Sequence, residues 1–283
     1  MTVVSLPEIM GPAFEERYGV AAFNAVDDIT MDGLIKAAEE SRSPLIVQIS
    51  VKTVKFWGAK VLKDMFTTLA EPASIPVTLH LDHCPSPDLA KTCLQLGWNS
   101  VLFDGSGLNY KENFQITRDI VKLAEQCGAS VEGELVTVGG VEDDIGSEKE
   151  GELLPVEKTI EFIKETGIYC YAPAIGTAHG FYKAAPTIRY ERMQQLVAAT
   201  NVPMVLHGGS GLSDEVFKRL ISMGAAKVNI STALKKTYAD GFHTYLEAHP
   251  TEYNPLKLIG AVRDDVVALA RQLFKIFGSE GRV

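Results

Sequence analysis

Eight short apolar segments alternate with longer amphipathic ones along this chain, and that alternation constrains the fold more than any other feature. The apolar segments occupy residues 20–24, 44–50, 76–82, 100–104, 130–134, 169–174, 203–207 and 227–230. Helical periodicity fills 31–38, 59–69, 88–96, 113–126, 157–165, 191–199 and 214–223, after an opening helix that ends near Tyr18-Gly19. A strand–helix repeat of this kind predicts an α/β chain folded as a parallel (βα)8 TIM barrel. An open doubly wound sheet is the alternative. It needs a topological switch point, and no Gly-rich dinucleotide fingerprint follows the first segment. Residues 234–283 hold more helix than a last barrel unit needs, which predicts extra C-terminal helices packed on the barrel or on a second subunit. Without a low-complexity tract or linker, residues 1–283 read as a single domain.

Composition narrows the function classes. Of 283 residues, 46% are hydrophobic and 22% charged, and the formal net charge is -9. That balance argues against nucleic acid or an anionic membrane as partner, while leaving room for a local basic pocket that takes a phosphorylated metabolite. The four cysteines, Cys84, Cys93, Cys127 and Cys170, form no CxxC pair. Neither a zinc ribbon nor a disulfide framework is suggested, and the compartment reads as reducing. The N-terminus carries Pro7, Glu8, Glu15 and Glu16 rather than a basic region before an apolar one, and no run approaches membrane-spanning length. A cytoplasmic location is expected.

A barrel of this type places its chemistry at the C-terminal ends of its strands, so polar groups should gather there. The segments run into Asn24, Ser50, Asp82-His83, Asp104, Glu134, Gly176-Thr177-Ala178-His179, His207-Gly208-Gly209-Ser210 and Asn229-Ile230-Ser231-Thr232. Singly, each has a plain reading: Asn24 as a turn, Ser50 as a helix cap, Asp104-Gly105-Ser106 as a tight turn. Together they outline one site. In a regular pleat Asp82 and His83 would face opposite ways, so both enter that site only if the strand breaks between them; otherwise the pair caps a loop.

Three neutral imidazoles from different strand ends can hold a catalytic zinc and leave a position open for substrate. His83, His179 and His207 lie at or just past strand ends, whereas His80 lies inside its strand and reads as a hydrogen-bonded interior residue. Two segments, His179-Gly180-Phe181-Tyr182-Lys183 and Gly208-Gly209-Ser210-Gly211 ahead of a helix that Ser213 can cap, suit an anion because backbone N–H groups converge in such turns. A flexible glycine turn is the competing reading.

His80-Leu81-Asp82-His83, Val131-Glu132-Gly133-Glu134-Leu135 with Gly139-Gly140-Val141-Glu142-Asp143, Ala174-Ile175-Gly176-Thr177-Ala178-His179-Gly180, Leu206-His207-Gly208-Gly209-Ser210-Gly211 and Lys227-Val228-Asn229-Ile230 together resemble the class II, metal-dependent fructose/tagatose-bisphosphate aldolases. The resemblance runs almost end to end. It implies His83, His179 and His207 as zinc ligands, Asp82 as acid/base on the aldehyde side, and Glu142 as the group exchanging the proton on the dihydroxyacetone phosphate carbon. It implies Asp104 and Glu134 as carboxylates around the metal or at an alternate ion position, and Asn229 as the residue that steadies the enediolate. Gly180, Lys183, Gly208, Gly209, Ser210, Ser231 and Thr232 would form the phosphate cradle, with Asn24, Ser50 and Lys52 elsewhere in the substrate pocket. A sodium or potassium ion near the phosphate loops and a homodimer or homotetramer are further implications.

Two departures stand out. The family commonly reads Asp-Pro-Arg where this chain has Asn254-Pro255-Leu256-Lys257, and a leucine cannot replace a guanidinium that clamps the distal phosphate, although Lys257 or Arg263 can act as simpler point charges. Ser50-Val51-Lys52-Thr53 stands where many members have Ser-Glu-Gly. Both point to a ketose 1-phosphate, with or without a second phosphate, whose far end is read differently. A metal-dependent hydrolase and a non-catalytic sugar-phosphate-binding barrel are the other classes. The hydrolase leaves the phosphate loops and Glu142 without a purpose, and the sensor has no use for Asp82 and Glu142.

Overall fold

The structure, a computed structural model, describes residues 2–142, 145–147, 151–182 and 184–283, with 141–142 and 145–147 described by backbone only. The strands are β1 (Val20–Asn24), β2 (Leu45–Ser50), β3 (Val77–Cys84), β4 (Ser100–Asp104), β5 (Ser130–Glu134), β6 (Gly140–Glu142), β7 (Ile145–Ser147), β8 (Cys170–Ala172), β9 (Met204–Leu206) and β10 (Ala225–Ile230). The helices are α1 (Leu6–Glu16), α2 (Asp28–Ser41), α3 (Val51–Trp57), α4 (Ala59–Ala70), α5 (Pro87–Gln95), α6 (Tyr110–Gln126), α7 (Val156–Thr166), α8 (Tyr190–Thr200), α9 (Asp214–Ser222), α10 (Thr232–Ala248) and α11 (Pro255–Phe277). All strands but β6 and β7 close into a parallel barrel in the order β1-β10-β9-β8-β5-β4-β3-β2, which excludes the open sheet.

The strands read as continuous apolar runs because both their faces are covered, by barrel interior on one side and helices on the other. The helices bury one stripe each: α9, for instance, turns Phe217, Leu220 and Ile221 inward. Side-chain caps start many of them. Asp27, Ser50, Ser86, Asn109 and Ser213 each accept a backbone N–H three residues on. At the N-terminal end of the barrel α1 packs Leu6, Ile9 and Met10 against Ala22, Ile46, Val205 and Ala226, covering that face. The polar strand ends lie at the opposite mouth.

Several details differ from the sequence expectation. A short helix, α3, starts directly after β2 with Ser50 as its cap, the plain reading of that residue, although it lies outside the segments marked by helical periodicity. Two short strands that the alternation of segments does not mark, β6 and β7, pair antiparallel with Gly140 opposite Ser147 and Glu142 opposite Ile145. Strands β8 and β9 are shorter than expected, since the chain leaves the ladder early to build the loops of the mouth. The surplus C-terminal helix α11 packs on the barrel side, burying Val262, Val266, Ala270, Phe274 and Phe277, with Phe274 edge-on to Phe23 at 6.0 Å. Among the described residues no helix is long and apolar enough to cross a membrane.

Candidate active site

The site begins where β3 breaks. His83 takes a left-handed backbone, φ 42°, and the pairing of β3 with β4 slips between Leu81 and Cys84. For a residue with a Cβ this conformation costs roughly 1–2 kcal/mol. It turns Asp82 and His83 toward the same mouth, as the sequence reading required.

Three imidazoles from three strand ends meet there. Nitrogens of His83, His179 and His207 all lie within 4.8 Å of one another. Two of the rings are aimed by carboxylates: His83 Nδ1–H donates to Asp104 Oδ2 at 3.0 Å, and His207 Nε2–H donates to Glu132 Oε1 at 2.8 Å. Their other nitrogens, His83 Nε2 and His207 Nδ1, are buried without a hydrogen-bond partner, and so is His179 Nδ1. Orphaned buried nitrogens are costly, and three converging ones fit a divalent cation that would satisfy all of them. His83, Asp104 and Glu134 form a second ligand set beside the first, with Glu134 Oε2 likewise unpartnered.

The electrostatics favour that reading. Burial lowers the His83 pKa, but Asp82, Asp104 and Glu134 outweigh it and hold His83 well above the ordinary imidazole value. Burial and the neighbouring rings keep His179 and His207 below it. The metal-free cluster therefore carries a proton on His83 that a metal must displace. Zinc affinity is expected to fall as pH is lowered below the raised His83 pKa, and calorimetry in buffers of different ionisation heat should show a proton released on binding. No proton release would contradict this assignment.

Asp82 is the centre of a buried polar network. Asn24 Nδ2 donates to its Oδ2 at 2.7 Å and Asn229 Nδ2 approaches its Oδ1 at 3.4 Å, while Gln48 Nε2 donates to Asn24 Oδ1 at 2.6 Å. Burial alone would raise the Asp82 carboxyl. The positive charge of His83, Lys227 and the other imidazoles overrides it and holds the pKa at about 2, so the base form persists throughout the neutral range. Acid loss of activity is then expected to follow proton competition at the metal ligands. Excess zinc should shift the acid limb of the pH–rate profile to lower pH, and a limb indifferent to zinc would contradict this.

Sequence reasoning missed the other half of the network. Lys227 is fully buried, donating to Glu132 Oε2 at 2.9 Å and to Asn229 Oδ1 at 2.8 Å. One ammonium thus fixes Glu132, which aims His207, and Asn229, whose amide is oriented so that its NH2 faces Asp82. The signal was available: Glu132 inside β5 and Lys227 inside β10 are charges in buried strands, and buried charges need partners. His80 is the interior residue expected, with Nδ1 2.8 Å from Ser100 Oγ, and burial and Lys227 lower its pKa to about 3.

The anion-type loops sit side by side. Tyr182 clasps them, its hydroxyl donating to Gly208 O at 2.7 Å and accepting from Ala178 N at 2.8 Å. Gly208 has φ +67°, and a Cβ there would lie 2.3 Å from Ala178 O, so the approach of the two loops requires glycine. Ser210 Oγ accepts from Ala233 N at 3.1 Å in the first turn of α10. Ser231 Oγ and Thr177 Oγ1 are buried without partners, an arrangement suited to an incoming anion. Gly180 and Thr232 flank the same loops. Lys183 lies outside the described residues.

The hairpin of β6 and β7 is anchored to the cluster at its foot. His179 N donates to Gly139 O at 2.7 Å, and Gly140, at φ +93°, leaves no room for a Cβ against the His179 backbone. The Glu142 side chain lies outside the described residues. Ser50 both caps α3 and pairs in register with Asp82, while Lys52 lines a cavity outboard of it. Leu256 is 78% exposed, Lys257 pairs with Glu252 at 2.6 Å, and Arg263 pairs with Asp32 at 3.0 Å. Within the chain, both cations suggested as substitutes are thus engaged in pairs of their own.

Comparison with known proteins gives a family and relatives of matching length. The sequence model of the family described as fructose-bisphosphate aldolase class-II matches residues 4–282. The sulfofructosephosphate aldolase of Alkalicoccus urumqiensis is 34% identical over 283 residues, covering all of this chain and 99% of its own. The fructose-bisphosphate aldolase of Geobacillus stearothermophilus is 36% identical over 286 residues, with 100% and 99% covered. Among solved structures, the YdjI aldolase from Escherichia coli K12 superposes with a TM-score of 0.86 at 30% identity, covering 99% of each chain.

Proposed function

The chain belongs to the class II fructose-bisphosphate aldolase family, and from that premise we propose that it reversibly cleaves a phosphorylated ketose to dihydroxyacetone phosphate and an aldehyde. As a family member it is an aldolase, a carbon–carbon lyase. The substrate we propose is a ketose 1-phosphate or 1,6-bisphosphate of fructose or tagatose type. The observation that carries the reading is the convergence of three orphaned imidazole nitrogens beside an ionised, doubly hydrogen-bonded Asp82.

Zinc held by His83, His179 and His207, when bound, would polarise the ketose carbonyl and offset the negative charge left on the three-carbon half. Asp82, ionised and steered by Asn24 and Asn229, takes the proton from the hydroxyl next to the scissile bond and returns it in the condensation direction. Asn229, pinned by Lys227, directs its amide N–H toward the same reacting centre. The phosphate of the three-carbon half sits on Gly180, Gly208, Gly209, Ser210, Ser231 and Thr232, with Lys183 as its cation. Glu142, on a hairpin whose foot is tied to His179, exchanges the proton on the carbon that becomes nucleophilic. No Schiff-base lysine is needed.

The proton-exchange half-reaction tests this reading without an aldehyde. Zinc-loaded protein incubated with dihydroxyacetone phosphate in D2O is expected to exchange one hydrogen of the hydroxymethyl carbon, and Glu142→Gln to abolish the exchange. Absence of exchange in the zinc-loaded wild type would overturn the reading.

A further inference from the structure

The two relatives are named for different substrates, so the far end of the substrate must be read from this chain's own residues. Resting on the aldolase reading above, we propose that the cavity between the loop after β1, helix α3 and helix α10 is a subsite for an anionic group at the far end of the aldehyde half. The cavity holds about 410 Å³. In the barrel order the phosphate-type loops follow β8, β9 and β10, whereas this cavity lies over β1 and β2, on the Asp82 side. Thr53 on its wall has Oγ1 3.2 Å from Ser50 Oγ, and Ser50 is the register partner of Asp82. A chain held by its phosphate at one end and deprotonated at Asp82 is directed toward this cavity.

Its lining selects charge. Lys52 from α3 and Lys235 from α10 contribute two ammonium groups, and Asp27 the single carboxylate. That carboxylate is already engaged: it accepts from Thr30 N at 2.9 Å, from Thr30 Oγ1 at 2.8 Å and from the Tyr238 hydroxyl. Each lysine takes part in an interaction of its own, so a bound anion shares them with the protein. Val26, Phe56 and Trp57 make the apolar part of the wall. Trp57 is fixed by its Nε1–H to Val26 O at 2.9 Å and meets Phe56 edge-on at 5.0 Å, giving a stiff apolar face for a carbon chain. The shared ligand chemistry is a terminal phosphate, sulfonate or carboxylate on a short polyhydroxylated chain. Ammonium groups act as point charges and do not demand the geometry of a guanidinium fork, which admits all three.

Cleavage by the zinc-loaded protein should be compared for ketose 1-phosphates that end in a neutral hydroxymethyl, a phosphate, a sulfonate or a carboxylate. The wild type is expected to prefer one of the anionic ends, identifying which. Lys52→Ala and Lys235→Ala should each reduce the ratio of kcat/KM for that substrate over the neutral one by roughly 10–100-fold, as for the loss of a charge-assisted hydrogen bond, with the change mainly in KM. A wild type that prefers the neutral end, or variants that leave the ratio unchanged, would overturn the subsite. A second measurement stands apart from catalysis: sn-glycerol 3-phosphate and 2,3-dihydroxypropane-1-sulfonate titrated against Trp57 fluorescence should saturate, and bind more weakly to both lysine variants. Binding without cleavage of any ketose would sink the aldolase reading and keep the subsite, whereas cleavage without tail discrimination or probe binding would do the reverse.

Discussion

Asp82→Ala should lower kcat for ketose cleavage by about 10²–10⁴-fold while the protein still binds zinc. The separation follows from geometry. Asp82 receives N–H groups from Asn24 and Asn229 but belongs to neither cluster of converging ligand atoms. The variant removes the proposed proton acceptor and leaves the three imidazoles in place. Kinetics with zinc content measured on the same preparation checks this. A fall in bound metal matching the fall in kcat would instead make Asp82 part of the metal site. Retention of near-normal kcat would remove it from the chemistry.

The second large effect concerns Lys227. Lys227→Met leaves the Glu132 carboxylate fully buried without its cation, and breaking a buried pair from one side typically costs about 3–5 kcal/mol. Urea unfolding of the metal-free variant should show the midpoint falling at an unchanged m-value. Replacing both partners, Lys227→Met with Glu132→Gln, removes the unpaired charge and should recover much of that loss. It should not recover function in full. Glu132 aims His207, so the double variant is expected to bind zinc about 10–100-fold more weakly, and Asn229 loses the contact that orients its amide. Equal zinc affinity in wild type and double variant would reduce the pair to a purely structural role.

Much of this molecule was legible in its sequence because a βα barrel writes its period into the chain. Alternating apolar and amphipathic segments identify the strands, and strand ends identify the mouth, so the placement of Asn24, Asp82, Asp104, Glu134 and His207 at that mouth was legible from position alone. The break between Asp82 and His83 could be argued from side-chain alternation, and the left-handed His83 is its physical form. What escaped was pairing across the barrel. Glu132 and Lys227 are 95 residues apart, and which charge meets which depends on barrel closure rather than local pattern. The clasp of Tyr182 between two loops was missed for a similar reason, and helix α3 was signalled only by its cap Ser50. Tyr182 reads as an ordinary loop aromatic, and α3 is too short to show a helical period.

The most direct test of the central claim is release of dihydroxyacetone phosphate from a panel of ketose 1-phosphates and 1,6-bisphosphates by zinc-loaded protein, with and without a chelator. The account predicts release from at least one member, abolished by chelation and restored by added zinc. Release that survives complete removal of the metal, or no release from any member, would contradict it.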